Sequence, residues 1–137
     1  MCAEGQFSTD EGKLVMKIYF LSTGFASVPR GLFVEGMKWK RVRFPILSML
    51  IEREGELILF DTGMGERIHD EMKPARYWGN WFFFKFIMKT EFDPLRDPLI
   101  RQIPALGLDP KAVKYAVISH LHWDHAGGIL DFPGAQF

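Results

Sequence analysis

The chain has 137 residues, of which 47% are hydrophobic and 25% charged, a composition that suits one modest globular domain and excludes a disordered segment. Lys+Arg and Asp+Glu balance at 17 each, which excludes a global field that would draw in nucleic acid or an anionic membrane. The single cysteine, Cys2, excludes an internal disulfide framework, and the polar, acidic start carries no apolar leader, so a soluble cytoplasmic protein is expected.

Residues 1–15 mix Gly, Gln, Ser, Thr, Asp and Glu without periodicity and read as a flexible N-terminal extension, with the folded domain over 16–137. Leu14 to Leu21 is apolar and aromatic enough for a first strand, closed by Ser22-Thr23-Gly24 and followed by a turn-rich loop over Ser27 to Gly31. Lys38 to Phe44 interleaves four cations with apolar residues. That pattern suits an exposed strand with one basic face better than a nucleic-acid groove. Pro45 to Glu52 and Glu56 to Phe60 flank Arg53-Glu54-Gly55, which predicts a hairpin turned at the glycine.

Met64, Ile68 and Met72 recur every four residues and predict an amphipathic helix stopped by Pro74, with His69 off its apolar stripe as a surface histidine. Tyr77 to Phe92 concentrates eight aromatic residues. Three uses compete for them: a lid over an apolar substrate pocket, a homodimer interface, or a foot on a membrane surface. No apolar run is long enough to span a bilayer. Asp97-Pro98 predicts a helix start, Gly107 its end, and Pro104 either a kink or a break into two short pieces. Asp109-Pro110 opens another short turn of helix, and Val113 to Ile118 is a strand. A short helix to Leu130, a turn at Phe132-Pro133-Gly134 and the opening of a further strand at Ala135-Gln136-Phe137 complete the chain.

The chemistry is concentrated in Ser119-His120-Leu121-His122-Trp123-Asp124-His125-Ala126-Gly127-Gly128, which holds three of the four histidines. Imidazole and carboxylate together suit a borderline divalent ion such as zinc, iron or manganese. His120 and His122, two apart on extended backbone, point the same way and can share one ion. Asp124 and His125 are adjacent, and at a turn they can aim at a second ion. Gly127-Gly128 lets backbone approach the site closely. Phe60-Asp61-Thr62-Gly63 follows the apolar run Leu57-Ile58-Leu59. There Asp61 either stands behind the ligands and takes an imidazole N–H, or is simply a strand-end turn residue. Trp123 either walls a substrate pocket or packs against the sheet.

His120-x-His122-x-Asp124-His125 after an apolar strand, with Asp61-Thr62-Gly63 upstream, resembles the signature of the metallo-β-lactamase-fold hydrolase superfamily. Gly107-Leu108-Asp109-Pro110 is similar to its lactonase-like branch, which includes the N-acyl homoserine lactonases. The resemblance runs from Met16 to Phe137 and implies the N-terminal half of an αβ/βα sandwich, an α/β fold with a mixed sheet and flanking helices. It implies one or two zinc ions (iron or manganese as substitutes) held by His120, His122, Asp124 and His125, and hydrolysis of a lactone or small ester by water that the metal activates. Asp124 would also orient that water and pass a proton to the leaving group. In the family a further histidine, a bridging aspartate and a last histidine come from the second half of the domain. No histidine or aspartate follows Asp131 here, so the chain is expected to be part of a longer hydrolase. Two alternatives belong to other classes: an aspartic protease built on Asp61-Thr62-Gly63, and a non-catalytic metal-binding or interaction module that uses the 77–92 stretch.

Overall fold

The structure is a computed structural model that describes residues 3–7, 16–32, 34–36, 39–67 and 87–137. Its frame is one sheet of six strands: β1 (Ala3–Phe7), β2 (Met16–Pro29), β3 (Arg41–Arg53), β4 (Glu56–Phe60), β5 (Lys89–Glu91) and β6 (Val113–Val117). The order is β1-β2-β3-β4-β6, with β5 also on β2. The pairings are antiparallel except β4 with β6, which run parallel. The sheet is therefore mixed, as expected. Parallel neighbours bring their carboxyl ends to the same edge, the usual place for a site in such sheets.

Alternation along the strands sorts the side chains into two faces. Tyr19, Leu50, Leu59 and Ala116 lie abreast in register and are buried, and Leu21 and Leu57 extend the row. Leu99, Ile103 and Phe132 cover them, and Val113 of β6 joins the same cluster. Removing a fully buried leucine from such a layer costs about 2–5 kcal/mol. On the opposite face Phe20, Met49, Phe60 and Val117 lie abreast, and among these Phe20, Phe60 and Val117 are exposed, as are Leu47 and Tyr115. The sheet thus carries helices on one side and a bare apolar surface on the other among the described residues.

The covering layer is short. Helix α1 (Leu99–Gln102) passes into a 3-10 turn over Ile103–Leu106, which ends at Gly107 with φ 76°. The break before Pro104 and the left-handed glycine stop agree with expectation. The cap is Pro98 rather than Asp97, whose carboxylate instead accepts from the Asp93 N–H at 2.8 Å. Asp109 caps the 3-10 turn Pro110–Ala112 by accepting from Lys111 N–H. Among the described residues no helix is long and apolar enough to cross a membrane.

The hairpin forms as expected: Arg53 pairs with Glu56, and Glu54 and Gly55 take φ 52° and 80°. Two left-handed residues in a two-residue loop match the right-handed twist of the flanking strands. Two segments differ from expectation. The first strand does not stop at Ser22-Thr23-Gly24 but runs on to Pro29 through a register shift between Ser22 and Phe25. Gly24, at φ 125°, absorbs that irregularity, which bends a strand instead of ending it. Within residues 1–15, expected as a flexible extension, Ala3–Phe7 pairs along Met16–Phe20. Backbone hydrogen bonding to a free strand edge requires no apolar pattern, so composition does not reveal it.

The basic run is partly consumed within the fold. The Arg41 guanidinium donates to Ser27 and to the Ile87 carbonyl, and Arg43 forms a bidentate pair with Glu91 while stacking on Phe25. That agrees with a basic strand face. The helix expected over Met64 to Lys73 falls mostly outside the described residues, as do His69 and Tyr77 to Phe86. Of the aromatic stretch, Met88 and Phe92 pack against Ala26, Ile46 and Met64.

Candidate functional site

Strands β4 and β6 end side by side, and each delivers one of the two motifs. At the end of β4 the chain turns sharply: Asp61 adopts φ 60° and its N–H donates to the Val117 carbonyl at 2.8 Å. Aspartate is among the few residues that tolerate this left-handed conformation. The turn buries its carboxylate, only 4% exposed, beneath the loop that leaves β6. Helix α2 (Trp123–Ala126) follows that loop.

Each residue of Asp61-Thr62-Gly63 has a distinct task. Asp61 Oδ1 accepts from Ser119 N–H at 2.7 Å, and Oδ2 lies 2.9 Å from Ser119 Oγ and 2.7 Å from His125 Nδ1. Thr62 N–H donates to the His125 carbonyl at 2.8 Å, and its hydroxyl lies 3.1 Å from that oxygen while accepting from Gly128 N–H. Gly63, at φ 62°, packs so closely on Thr23 that a Cβ would overlap that side chain. Gly128 passes the Thr62 carbonyl where a Cβ would sit 2.7 Å from the oxygen, the close approach expected of the glycine pair. The first motif therefore fixes the second from beneath.

Above this base the donors converge in pairs. His120 Nε2 lies 3.0 Å from His122 Nδ1, with the two rings nearly perpendicular. His125 Nε2 lies 3.6 Å from Asp124 Oδ2, and the His120 and His125 ring centroids are 4.1 Å apart. Two nitrogens bound at tetrahedral angles to one zinc lie roughly 3.3 Å apart, given Zn–N distances of about 2.0–2.1 Å. Both pairs have a spacing near that value. Among the described residues no three His, Cys, Asp or Glu side chains converge to hold a single ion. His120 and His122 are exposed, whereas Asp124 and His125 are half-buried at the first turn of α2.

The Asp61 carboxyl is held below its ordinary pKa. Burial pushes it upward, but hydrogen bonds from His125 and from the Ser119 backbone and hydroxyl outweigh that. Its oxygens are thus occupied by donors, the arrangement of a group that orients an imidazole. Trp123 packs, half-buried, against Ala26, Ile46 and Met64, the alternative foreseen to a pocket wall. Ser119 is the residue that sequence reasoning left without a task. Its Oγ lies 3.0 Å from His120 Nδ1 and 3.3 Å from His125 Nδ1. Its only sequence signal is its place directly before the first histidine.

The family model described as Metallo-beta-lactamase superfamily matches residues 41–136. The chain is 36% identical over 88 residues to the probable metallo-hydrolase Rv2300c of Mycobacterium tuberculosis, covering 64% of this chain and 26% of that protein. It is 58% identical over 93 residues to the N-acyl homoserine lactonase AttM of Azorhizobium caulinodans, covering 66% and 32%. Among solved structures, it is similar to an N-acyl homoserine lactone hydrolase with N-hexanoyl-L-homoserine bound at its catalytic metal centre. There the TM-score is 0.65 at 26% identity, over 84% of this chain and 44% of that one. The dizinc quorum-quenching lactonase AidC matches in fold, with TM-score 0.54 at 19% identity over 96% and 43%. The chain spans less than half the length of each of these proteins.

Proposed function

Because the chain belongs to the metallo-beta-lactamase superfamily, we propose that residues 16–137 are the N-terminal part of a metal-dependent hydrolase that opens a lactone. The observation that carries this reading is the spacing of the two donor pairs, 3.0 Å for His120 with His122 and 3.6 Å for Asp124 with His125. In this reading His120 and His122 hold one zinc, Asp124 and His125 the other, with iron or manganese as substitutes. Such ions supply activated water and a polarised carbonyl. Asp124 serves in catalysis by orienting the water and passing a proton to the leaving oxygen. Asp61, from beneath, holds His125 in the orientation its ligand role needs.

A lactone is preferred over other small esters because AttM and the hydrolase with bound N-hexanoyl-L-homoserine are named for that chemistry. The aromatic residues of 77–92 supply either an apolar wall for an acyl chain or a homodimer contact. A single cysteine suits a reducing compartment such as the cytoplasm.

The test is metal content per chain, by elemental analysis of wild type beside the His120→Ala/His122→Ala variant, with hydrolysis of an N-acyl homoserine lactone followed by acid release. The reading expects stoichiometric zinc, iron or manganese in wild type and its loss, together with turnover, in the variant. A variant that keeps the wild-type metal content would sink the assignment of the site.

A further inference from the structure

Ser119 touches both halves of the site at once. Its Oγ is 2.9 Å from Asp61 Oδ2, 3.0 Å from His120 Nδ1 and 3.3 Å from His125 Nδ1. A serine hydroxyl has one proton to donate and two lone pairs with which to accept. The Asp61 carboxylate has no hydrogen to give and can only accept, as it does from the Ser119 N–H at 2.7 Å. Were the Ser119 proton turned toward His120, lone pairs of Oγ and Oδ2 would face each other at 2.9 Å. The proton therefore lies on the Asp61 side, and Oγ presents a lone pair to His120 Nδ1.

Proton positions follow on both rings. His120 must carry its hydrogen on Nδ1 to donate to Ser119 Oγ, which leaves Nε2 bare toward His122. His125 carries its hydrogen on Nδ1 to donate to Asp61 Oδ2 at 2.7 Å, which leaves Nε2 bare beside Asp124. His122 ends this network: with His120 Nε2 bare, the 3.0 Å contact has His122 Nδ1–H donating to it.

We propose that Ser119 is a positioning residue that carries the influence of the buried Asp61 carboxylate across to His120. A single Asp61–Ser119 unit thereby fixes the Nδ1–H tautomer of both His120 and His125 and presents a bare Nε2 to each donor pair. Asp61 reaches His125 directly but has no direct bond to His120, so the hydroxyl supplies the missing link. The value of this arrangement for metal binding rests on the proposed ligand roles; the proton positions themselves do not.

Long-range 1H–15N correlation spectra of the 15N-labelled chain, freed of metal with a chelator, read the tautomer of each histidine. Wild type is expected to show His120 and His125 as Nδ1–H. Ser119→Ala should release His120 to a mixed population while His125 keeps its form, Ser119→Thr should restore His120, and Asp61→Asn should release both. Cobalt(II) titration against a competing chelator should show Ser119→Ala weakened about 10–100-fold and Ser119→Thr close to wild type. His120 found as Nε2–H in wild type, or unaltered in Ser119→Ala, overturns the proposal. Tautomers that behave as expected with no cobalt binding in any variant would uphold it and overturn the ligand reading instead.

Discussion

His125 Nδ1 stands 2.7 Å from Asp61 Oδ2, although 64 residues separate them in the chain. The contact ties the first turn of α2 to the end of β4 and exists because Asp61 accepts a left-handed turn at φ 60°. Asparagine is equally at ease in that conformation, so Asp61→Asn keeps the turn and changes only the hydrogen bonding. With the amide oxygen kept on the Ser119 N–H, the NH2 then faces the His125 ring and the Ser119 hydroxyl, both of which must reorganise to accept. The expected loss is about 1–3 kcal/mol, the cost of a mismatched buried polar group. Urea unfolding of the two proteins side by side measures it, and an unchanged midpoint would show that the carboxylate contributes no net stability.

Gly128 tests the same joint from the backbone side. Its φ of −94° is open to any residue, so Gly128→Ala introduces no backbone strain. The added Cβ, however, meets the Thr62 carbonyl at 2.7 Å and Thr62 Cβ at 3.2 Å. Either α2 lifts off β4 or the turn at Thr62 yields, and overpacking of this kind costs about 1–3 kcal/mol. Gly134→Ala is the control, since nothing lies within 4 Å of its Cβ position. Thermal unfolding should separate the two clearly; equal melting temperatures would mean that the close approach is readily relieved.

The parts of this site that short-range chemistry dictates are legible in the sequence. Histidines two apart on extended backbone must share a side, and His120 and His122 do. Glu54-Gly55 between two apolar runs can hardly be anything but a tight turn. What composition does not carry is the outcome of long-range contact. Gly24 looks like the end of a strand, yet β3 on one side and β5 on the other hold the chain extended through it to Pro29. Asp61 could be placed only as one of two alternatives, because its role depends on a loop that returns 58 residues later. Ser119 carries no signal of its own, since a hydroxyl acquires direction only from the groups that surround it.

Asp131 gives a pH dependence that does not involve the histidine cluster. Its half-buried carboxylate accepts from Glu66 N–H at 3.2 Å where the chain after Gly65 crosses Gly127 and Gly128. Burial raises its pKa above the ordinary 3.8 and the Glu66 charge adds to that, against the Glu66 hydrogen bond and the charges of Arg67 and Arg101. The folded chain therefore holds this proton to higher pH than the unfolded chain does. Stability falls as pH rises from 3.8 through the raised folded value, and the penalty persists above it. Asp131→Asn keeps an oxygen for Glu66 N–H and never ionises. Its melting temperature relative to wild type should be similar near pH 3.5, rise as pH passes through the raised folded value, and stay level above it. A difference that does not vary with pH would mean that the folded and unfolded pKa values coincide.

The β3–β4 turn offers a gain in stability. Glu54 sits at φ 52° in a two-residue loop where a side chain other than asparagine, aspartate or glycine is disfavoured. It is exposed, so replacing it disturbs no core contact. Glu54→Asn should relieve the left-handed strain and stabilise the chain by up to about 1 kcal/mol. Gly55→Ala, at φ 80°, should destabilise it by a similar amount although its Cβ would meet nothing within 4 Å. Because both sites face solvent, opposite shifts in the urea midpoint with an unchanged slope would identify backbone conformation as the cause. Shifts of the same sign would assign the effect to the side chains instead.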